Sequence, residues 1–232
     1  MASSPVDILP SMDEPRPRTV TDRVFEALYD NVVNLTLPPG MRLSEAEVAA
    51  QMGVSRQPVR DAFYRLSQLG FLLIRPQRAT VVTPISEDAV MQARFIRCAL
   101  EEATMRRAAA TLTAADHAEI AGVIGAQDDA MLRGDRAAFH ALDDRFHRLI
   151  CDRAGVDFVW SLVRDNKGHM DRVRYLSLSY ASQTVVAEHR GILAALEARD
   201  GDAAAAALRG HLGRIGQIID RLKTDRPEVF AD

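Results

Sequence analysis

Two groups of side chains in this 232-residue chain have types and spacings that could do chemistry. The first lies in Leu43-Ser44-Glu45-Ala46-Glu47-Val48-Ala49-Ala50-Gln51-Met52-Gly53-Val54-Ser55-Arg56-Gln57-Pro58-Val59-Arg60. Arg56 and Arg60 are four residues apart, about one helical turn, so both guanidiniums stand on one face. Planar guanidiniums placed in this way can grip phosphates or read guanine edges in the major groove of DNA. The second group is Asp143, His147, His189 and His211. Asp143 and His147 share a helix face with Phe139, Phe146 and Ile150, and a carboxylate on an apolar stripe needs a partner. His189 falls on a stripe with Val185, Val186, Ile192, Leu193 and Leu196, and His211 on one with Ala204, Ala207, Leu208, Ile215 and Ile218.

The turn at Asp200-Gly201 is nearly midway between His189 and His211, each about ten residues, or roughly 15 Å, from it. In an antiparallel hairpin the two imidazoles come level, and Asp143 and His147 can join them from a third helix. Three neutral imidazoles and one carboxylate suit a divalent transition metal such as zinc, nickel or manganese, with positions left for water or a ligand carboxylate. The residues alone leave a second reading open, in which each is a hydrogen-bonded core residue. Arginines on inward stripes are a further signal. Arg97 sits among Ile96, Leu100 and Met105, and Arg172 and Arg174 follow His169. They could clamp an anionic effector by bidentate hydrogen bonds, or pair with Glu101, Asp165 or Asp171. His117 and His140 read as surface or half-buried residues, and Cys98 and Cys151 as small buried hydrophobes.

These groups need elements to position them. A helix is expected from about Thr21 to Leu35, with Val24, Phe25, Leu28, Val32 and Leu35 as its stripe, ended by Leu37-Pro38-Pro39-Gly40. Ser44 is expected to cap a second helix, with Glu47 completing a capping box. A third runs from Ser55 to about Leu69, Pro58 being tolerated in its first turn. Phe71-Leu72-Leu73-Ile74 and Thr80-Val81-Val82 read as two short strands around a polar tip. The unit is thus a winged helix-turn-helix: three helices plus a small β-hairpin wing. From Ser86 on, the pattern is helical: 86–111, 114–133, 135–154, 156–180, 182–199 and 202–223. This predicts an all-α six-helix antiparallel bundle and a mainly α protein. The expected organisation is a disordered Ser/Pro-rich arm over 1–18, a DNA-binding domain over 19–84, an all-helical domain over 85–224 that holds the candidate metal and effector residues, and a tail over 225–232.

Composition is that of an ordinary soluble globular protein, 47% hydrophobic and 26% charged. No apolar run is long enough to span a bilayer, and the N-terminus lacks the pattern of a secretory signal. Two cysteines without metal or redox spacing fit a reducing cytoplasm. The net charge of −3 is unevenly spread: residues 41–80 hold six arginines against three acids. A locally basic reader on an acidic body suits a regulator.

The sequence resembles the GntR family of bacterial transcription regulators, in the FadR-like branch with an FCD C-terminal domain. The reading half matches in Pro39-Gly40-Met41-Arg42-Leu43, Gly53–Ala62 and Arg75-Pro76-Gln77-Arg78. The effector half matches in Arg97-Cys98-Ala99-Leu100-Glu101, Asp143-Asp144-Arg145-Phe146-His147, Glu188-His189 and Gly201-Asp202 with His211. The resemblance covers roughly 20–222. It implies that Asp143, His147, His189 and His211 are metal ligands and that Arg42, Ser55, Arg56, Gln57 and Arg60 contact DNA, with Gln77 and Arg78 on the wing. It implies an effector arginine at Arg97. One departure is Ala79, where relatives usually carry glycine at the wing tip; a Cβ there limits how closely the backbone can approach the minor groove. The implied protein is a cytoplasmic homodimer on a short palindromic operator, a repressor released by a small organic acid such as a sugar acid or hydroxy acid. In the expected mechanism the acid ligates the metal, pairs with arginine, and shifts helix four. A metalloregulator responding to the ion itself is the nearest alternative. A metal-dependent enzyme is the more distant one, since no H-E-x-x-H and no general base accompany the site.

Overall fold

The computed structural model describes residues 18–75 and 78–231, apart from the side chains of 178–182. The chain divides into two compact units, one comprising residues up to Asp30 and from Arg42 to Val81, the other Asn31–Met41 and everything from Val82. Residues 1–17 of the expected arm, and Gln77 on the wing, lie outside the described residues.

In the first unit, α1 (Val20–Val33), α2 (Glu45–Met52) and α3 (Arg56–Gln68) are joined to strands β1 (Arg42–Leu43), β2 (Leu72–Leu73) and β3 (Thr80–Val82). The helical stripes do the burying: Val24 and Leu28 from α1, Ala49 from α2, and Val59, Ala62, Phe63 and Leu66 from α3. Gly53 ends α2 in the left-handed conformation at φ 64°, which makes the tight turn before α3 possible without a Cβ penalty. The capping expectation at Ser44 fails, since its side chain makes no cap bond. Capping boxes form instead where Thr precedes Asp by three: Thr19 with Asp22, and Thr113 with Asp116. β1, a strand of two residues, has too little sequence to be foreseen. It pairs antiparallel with β3, which makes the sheet three-stranded in the order β1-β3-β2.

The second unit holds seven helices among the described residues, not six: α4 (Glu87–Thr111), α5 (Ala114–Leu132), α6 (Arg136–Arg153), α7 (Asp157–Asn166), α8 (Gly168–Glu197), α9 (Gly201–Gly213) and α10 (Ile215–Asp225). No break occurs at Tyr180-Ala181, where the sequence has neither Gly nor Pro; the helix is interrupted at Lys167, next to Gly168, and runs on as one 30-residue helix. The segment expected over 202–223 divides at Arg214. Sequential packing holds for α5 with α6 and α8 with α9, but α4 packs chiefly on α9, far along the chain.

The α8–α9 turn is built for close approach. Arg199 takes a left-handed φ of 57°, and Asp200 accepts from the Ala203 amide at 2.9 Å to cap α9. A Cβ on Gly201 would lie 3.0 Å from Arg106 Cα, so only glycine lets α9 begin there against α4. The C-terminal tail is also docked. After a short 3-10 helix (Pro227–Val229), Phe230 bridges to Ile85 in parallel, with Ile85 N–H donating to Val229 O at 2.8 Å and Ala231 N–H to Ile85 O at 2.9 Å.

Candidate functional site

Helix α6 places Asp143 and His147 on its buried face, α8 supplies His189 and α9 supplies His211. One potential ligand atom from each lies within 4.8 Å of the others. His147 Nε2 is 3.9 Å from Asp143 Oδ2, and His189 Nε2 is 3.7 Å from Asp143 Oδ1. The three rings crowd together, with His189 and His211 centroids 4.8 Å apart and His147 5.5 Å from each. His189 also stacks on Phe146 at 3.9 Å.

Each imidazole meets an acceptor at Nδ1. His189 Nδ1 is 2.9 Å from Gln127 Oε1, and His211 Nδ1 is 2.9 Å from Glu188 Oε2. His147 Nδ1 is 2.6 Å from Glu101 Oε2, a close contact outside ideal hydrogen-bond geometry. A proton on Nδ1 leaves the lone pair on Nε2, the arrangement a metal-binding histidine needs. The Nε2 atoms of His147 and His189 are buried with no protein hydrogen-bond partner. Such atoms are costly unless something else binds them, and a cation bound by three nitrogens and a carboxylate oxygen would do so. The residues therefore fit a divalent metal.

The electrostatics favour neutral rings at His189 and His211 and an ionised carboxylate at Asp143. Burial would raise the Asp143 pKa, but the Arg174 guanidinium bonded to it holds the carboxyl well below the usual range. Burial pushes His189 well down, and His211 down as well. Glu101 is also kept ionised: burial opposes this, but Arg97 and His147 beside it outweigh burial.

The expected effector residues divide. Arg174 bonds Asp143 and, at 3.0 Å, Asp171, so it does reach the cluster. Arg97 is buried and spent on Glu101, with Nε 2.6 Å and Nη2 3.3 Å from its carboxylate. Arg172 is fully buried and donates to the backbone carbonyls of Thr83 at 2.7 Å and Pro84 at 3.4 Å, so its terminal nitrogens staple the segment before α4. His169 is half-buried in the first turn of α8. His140, expected near the surface, is buried, stacked on Tyr175 at 4.2 Å and 3.7 Å from Asp171 Oδ1. Burial and the nearby Arg174 push its pKa down to about 4. Beside it, buried Lys167 bonds Asp171 and lies 2.9 Å from Asp144. Sequence reading missed Glu101, Gln127 and Glu188 as partners of the histidines; the carboxylate four residues after Arg97 was the only available hint.

On the first unit, Arg42, Ser55, Arg56, Gln57, Arg60 and Arg78 are all exposed. The Ser55 hydroxyl makes no cap bond. Gln57 donates to Asp61 at 2.8 Å, and Arg60 pairs with Glu45 at 3.2 Å. Arg65 stays exposed but lies back along the surface, bonding Asp22 at 2.9 Å and sitting 3.9 Å over the Phe25 ring, so one of the six local arginines serves the fold. Arg42, Arg75 and Arg78 line a groove of about 530 Å³ with Ala79. Ala79 has no positive φ, so the backbone here does not demand glycine.

Residues 20–82 match the family described as bacterial regulatory proteins, gntR family, and residues 92–214 match the FCD domain. The chain is 35% identical to the HTH-type transcriptional repressor RspR of Escherichia coli K12, over 92% of this chain and 94% of that protein. The chain belongs to the GntR family.

This GntR-family chain is also 32% identical, over 84% of its length and 86% of the relative's, to a Paenarthrobacter nicotinovorans protein named "Probable D-xylose utilization operon transcriptional repressor". Among solved structures, E. coli McbR/YncC has the same fold, with a TM-score of 0.74 at 22% identity, covering 88% of this chain and 99% of that one. A winged-helix reading unit joined to a helical FCD unit makes the protein a transcription regulator, in a family of regulators and not of enzymes. No helix among the described residues is long and apolar enough to cross a membrane.

Proposed function

We propose that this regulator is a cytoplasmic homodimeric repressor that reads a short palindromic operator and releases it when a small carboxylate metabolite binds at a metal centre in the FCD unit. The reading unit comprises residues 19–84 and the sensor 85–224. The observation that carries the reading is the convergence of one ligand atom each from Asp143, His147, His189 and His211 within 4.8 Å, with an acceptor behind each imidazole at Nδ1. Asp143, His147, His189 and His211 hold the ion, zinc before nickel or manganese, which supplies a Lewis-acidic anchor for an effector oxygen.

The charge around the cluster favours an anion. Among the described residues, the ligands and their ionic partners hold five carboxylates (Glu101, Asp143, Asp144, Asp171, Glu188) against four cations (Arg97, Lys167, Arg174, Arg214). A divalent ion turns that surplus negative charge into a positive one, and a carboxylate restores balance. Arg174, bonded to Asp143 and on the same cluster, is the guanidinium best placed to orient such an acid. On the reading unit, Arg56 and Arg60 supply base-edge or phosphate contacts, Arg42, Ser55 and Gln57 fix the register, and Arg78 with Gln77 reaches from the wing.

Release requires that the effector bind the operator-incompetent state more tightly than the competent one. The test is metal analysis of the purified protein, followed by operator titration with metal alone and then with metal plus sugar acids and hydroxy acids. Loss of operator affinity only when an acid is added supports the reading. Loss with metal alone makes the ion itself the signal, and no change under either condition refutes ligand control.

A further inference from the structure

The four ligands come from α6, α8 and α9, whereas α4 and α5 supply none. Both nonetheless reach the cluster through a side chain set behind an imidazole: Gln127 from α5 behind His189, and Glu101 from α4 behind His147. Glu101 differs from the other two acceptors in being both charged and fully buried. Its side chain is 1% exposed against 23% for Glu188, and Gln127 is neutral. A carboxylate so buried persists only if its charge is met. Arg97, equally buried on the preceding turn, meets it with two nitrogens.

This arrangement gives the pair a task. His147 can turn Nε2 to a cation only with its proton on Nδ1, and Nδ1 faces Glu101 at 2.6 Å. A carboxylate there orients the ring, fixes the tautomer and makes the imidazole a better donor.

We propose that Glu101, clamped by Arg97, is a positioning residue of the metal centre, fixing His147 with Nε2 unprotonated and aimed at the ion and so setting how tightly the ion is held. The inference rests on the metal reading above. It assigns Arg97 to holding the centre together, a different task from gripping the effector. It also makes α4, which gives no ligand, part of the centre through a single carboxylate.

The test uses the full chain and three variants. Arg97→Met combined with Glu101→Leu removes both charges while roughly conserving volume, an exchange that folding often tolerates. Glu101→Gln keeps an oxygen that can accept from Nδ1–H. Glu101→Asp keeps the charge but withdraws it by one methylene. Zinc affinity is measured by chelator competition, the cobalt-substituted protein by visible absorption, and folding by the metal-free melting temperature. The double variant is expected to bind zinc about 10–100-fold more weakly and to give an altered cobalt spectrum, with Glu101→Gln recovering most of the loss. A folded double variant with wild-type zinc affinity and cobalt spectrum overturns the proposal. If the double variant does not fold, wild-type affinity in Glu101→Asp overturns it instead. If wild-type protein takes up no zinc, or His189→Ala binds it equally well, the metal reading fails and this inference with it. A wild type that binds zinc beside a folded double variant of unchanged affinity, or an unchanged Glu101→Asp where the double variant does not fold, sinks this inference alone.

Discussion

Zinc should raise the melting temperature of this protein, and the size of the rise follows from linkage. The four ligands lie on three helices, with Asp143 and His189 46 positions apart, so only the folded state gathers them. An ion that binds the folded state alone stabilises it by about 2.7 kcal/mol at a hundredfold excess over Kd. For a chain of this size that is roughly 5–10 °C. His189→Ala should abolish the rise. The substitution has its own cost, because the ring is fully buried and stacks on Phe146. Opening that space costs about 2–4 kcal/mol, so the metal-free variant melts lower from the start. The informative quantity is therefore the shift on adding zinc, compared within each protein by differential scanning fluorimetry and reversed by chelator. An equal shift in His189→Ala, or none in the wild type, would show that these four residues do not hold the ion.

Three further outcomes are expected. Arg56→Ala should weaken operator binding by about 1–3 kcal/mol if it reads a base edge, or flatten the salt dependence by about one charge if it holds a phosphate; fluorescence anisotropy at several salt concentrations tells these apart. Stability should fall as pH drops from about 6.5 towards 4, because His140 has a folded pKa of about 4 against 6.5 unfolded, so below 6.5 the unfolded chain binds the extra proton. The loss attributable to this ring approaches about 3 kcal/mol, and denaturant melts of wild type and His140→Gln across that window should converge by that amount at the acid end. Gly201→Ala should cost about 1–3 kcal/mol, since its Cβ would meet the Arg106 backbone at 3.0 Å; an unchanged melting temperature would mean that the α8–α9 turn can give way.

Much of the fold was legible because periodicity reports burial. The stripes of α1 and α3 and the inward faces bearing Asp143, His147 and His189 were all readable, as was the hairpin that brings His189 level with His211. What failed has identifiable physical causes. Ser44 and Glu47 have capping-box spacing, but spacing does not fix rotamers, and the hydroxyl makes no cap bond. The interruption at Lys167 keeps helical hydrogen bonds across it, Lys167 N–H to Val163 O and Asp171 N–H to Lys167 O, so the lone Gly168 beside it, which a helix can tolerate, was its one weak signal. Glu101 meets His147 across 46 positions and Gln127 meets His189 across 62, distances over which no pattern in one sequence tells a partner from a bystander. Arg172 looked like Arg174 because both are cations on one helix two residues apart; only the structure separates the one bound to carbonyls from the one bound to a carboxylate.

The unbroken α8 has a mechanical consequence. Near its start Arg172 grips the carbonyls of Thr83 and Pro84, and seventeen residues later the same helix presents His189. The two points are roughly 25 Å apart along one rod. A tilt of about 5° pivoting at the histidine sweeps the arginine end through about 2 Å, several times the slack in a hydrogen bond. The Thr83–Pro84 segment must then travel with the rod or be let go. Had the chain broken at Tyr180-Ala181, the hinge would have absorbed that motion. As a single lever arm, α8 turns a change too small to see at one side chain into a displacement at the peptide that follows the wing.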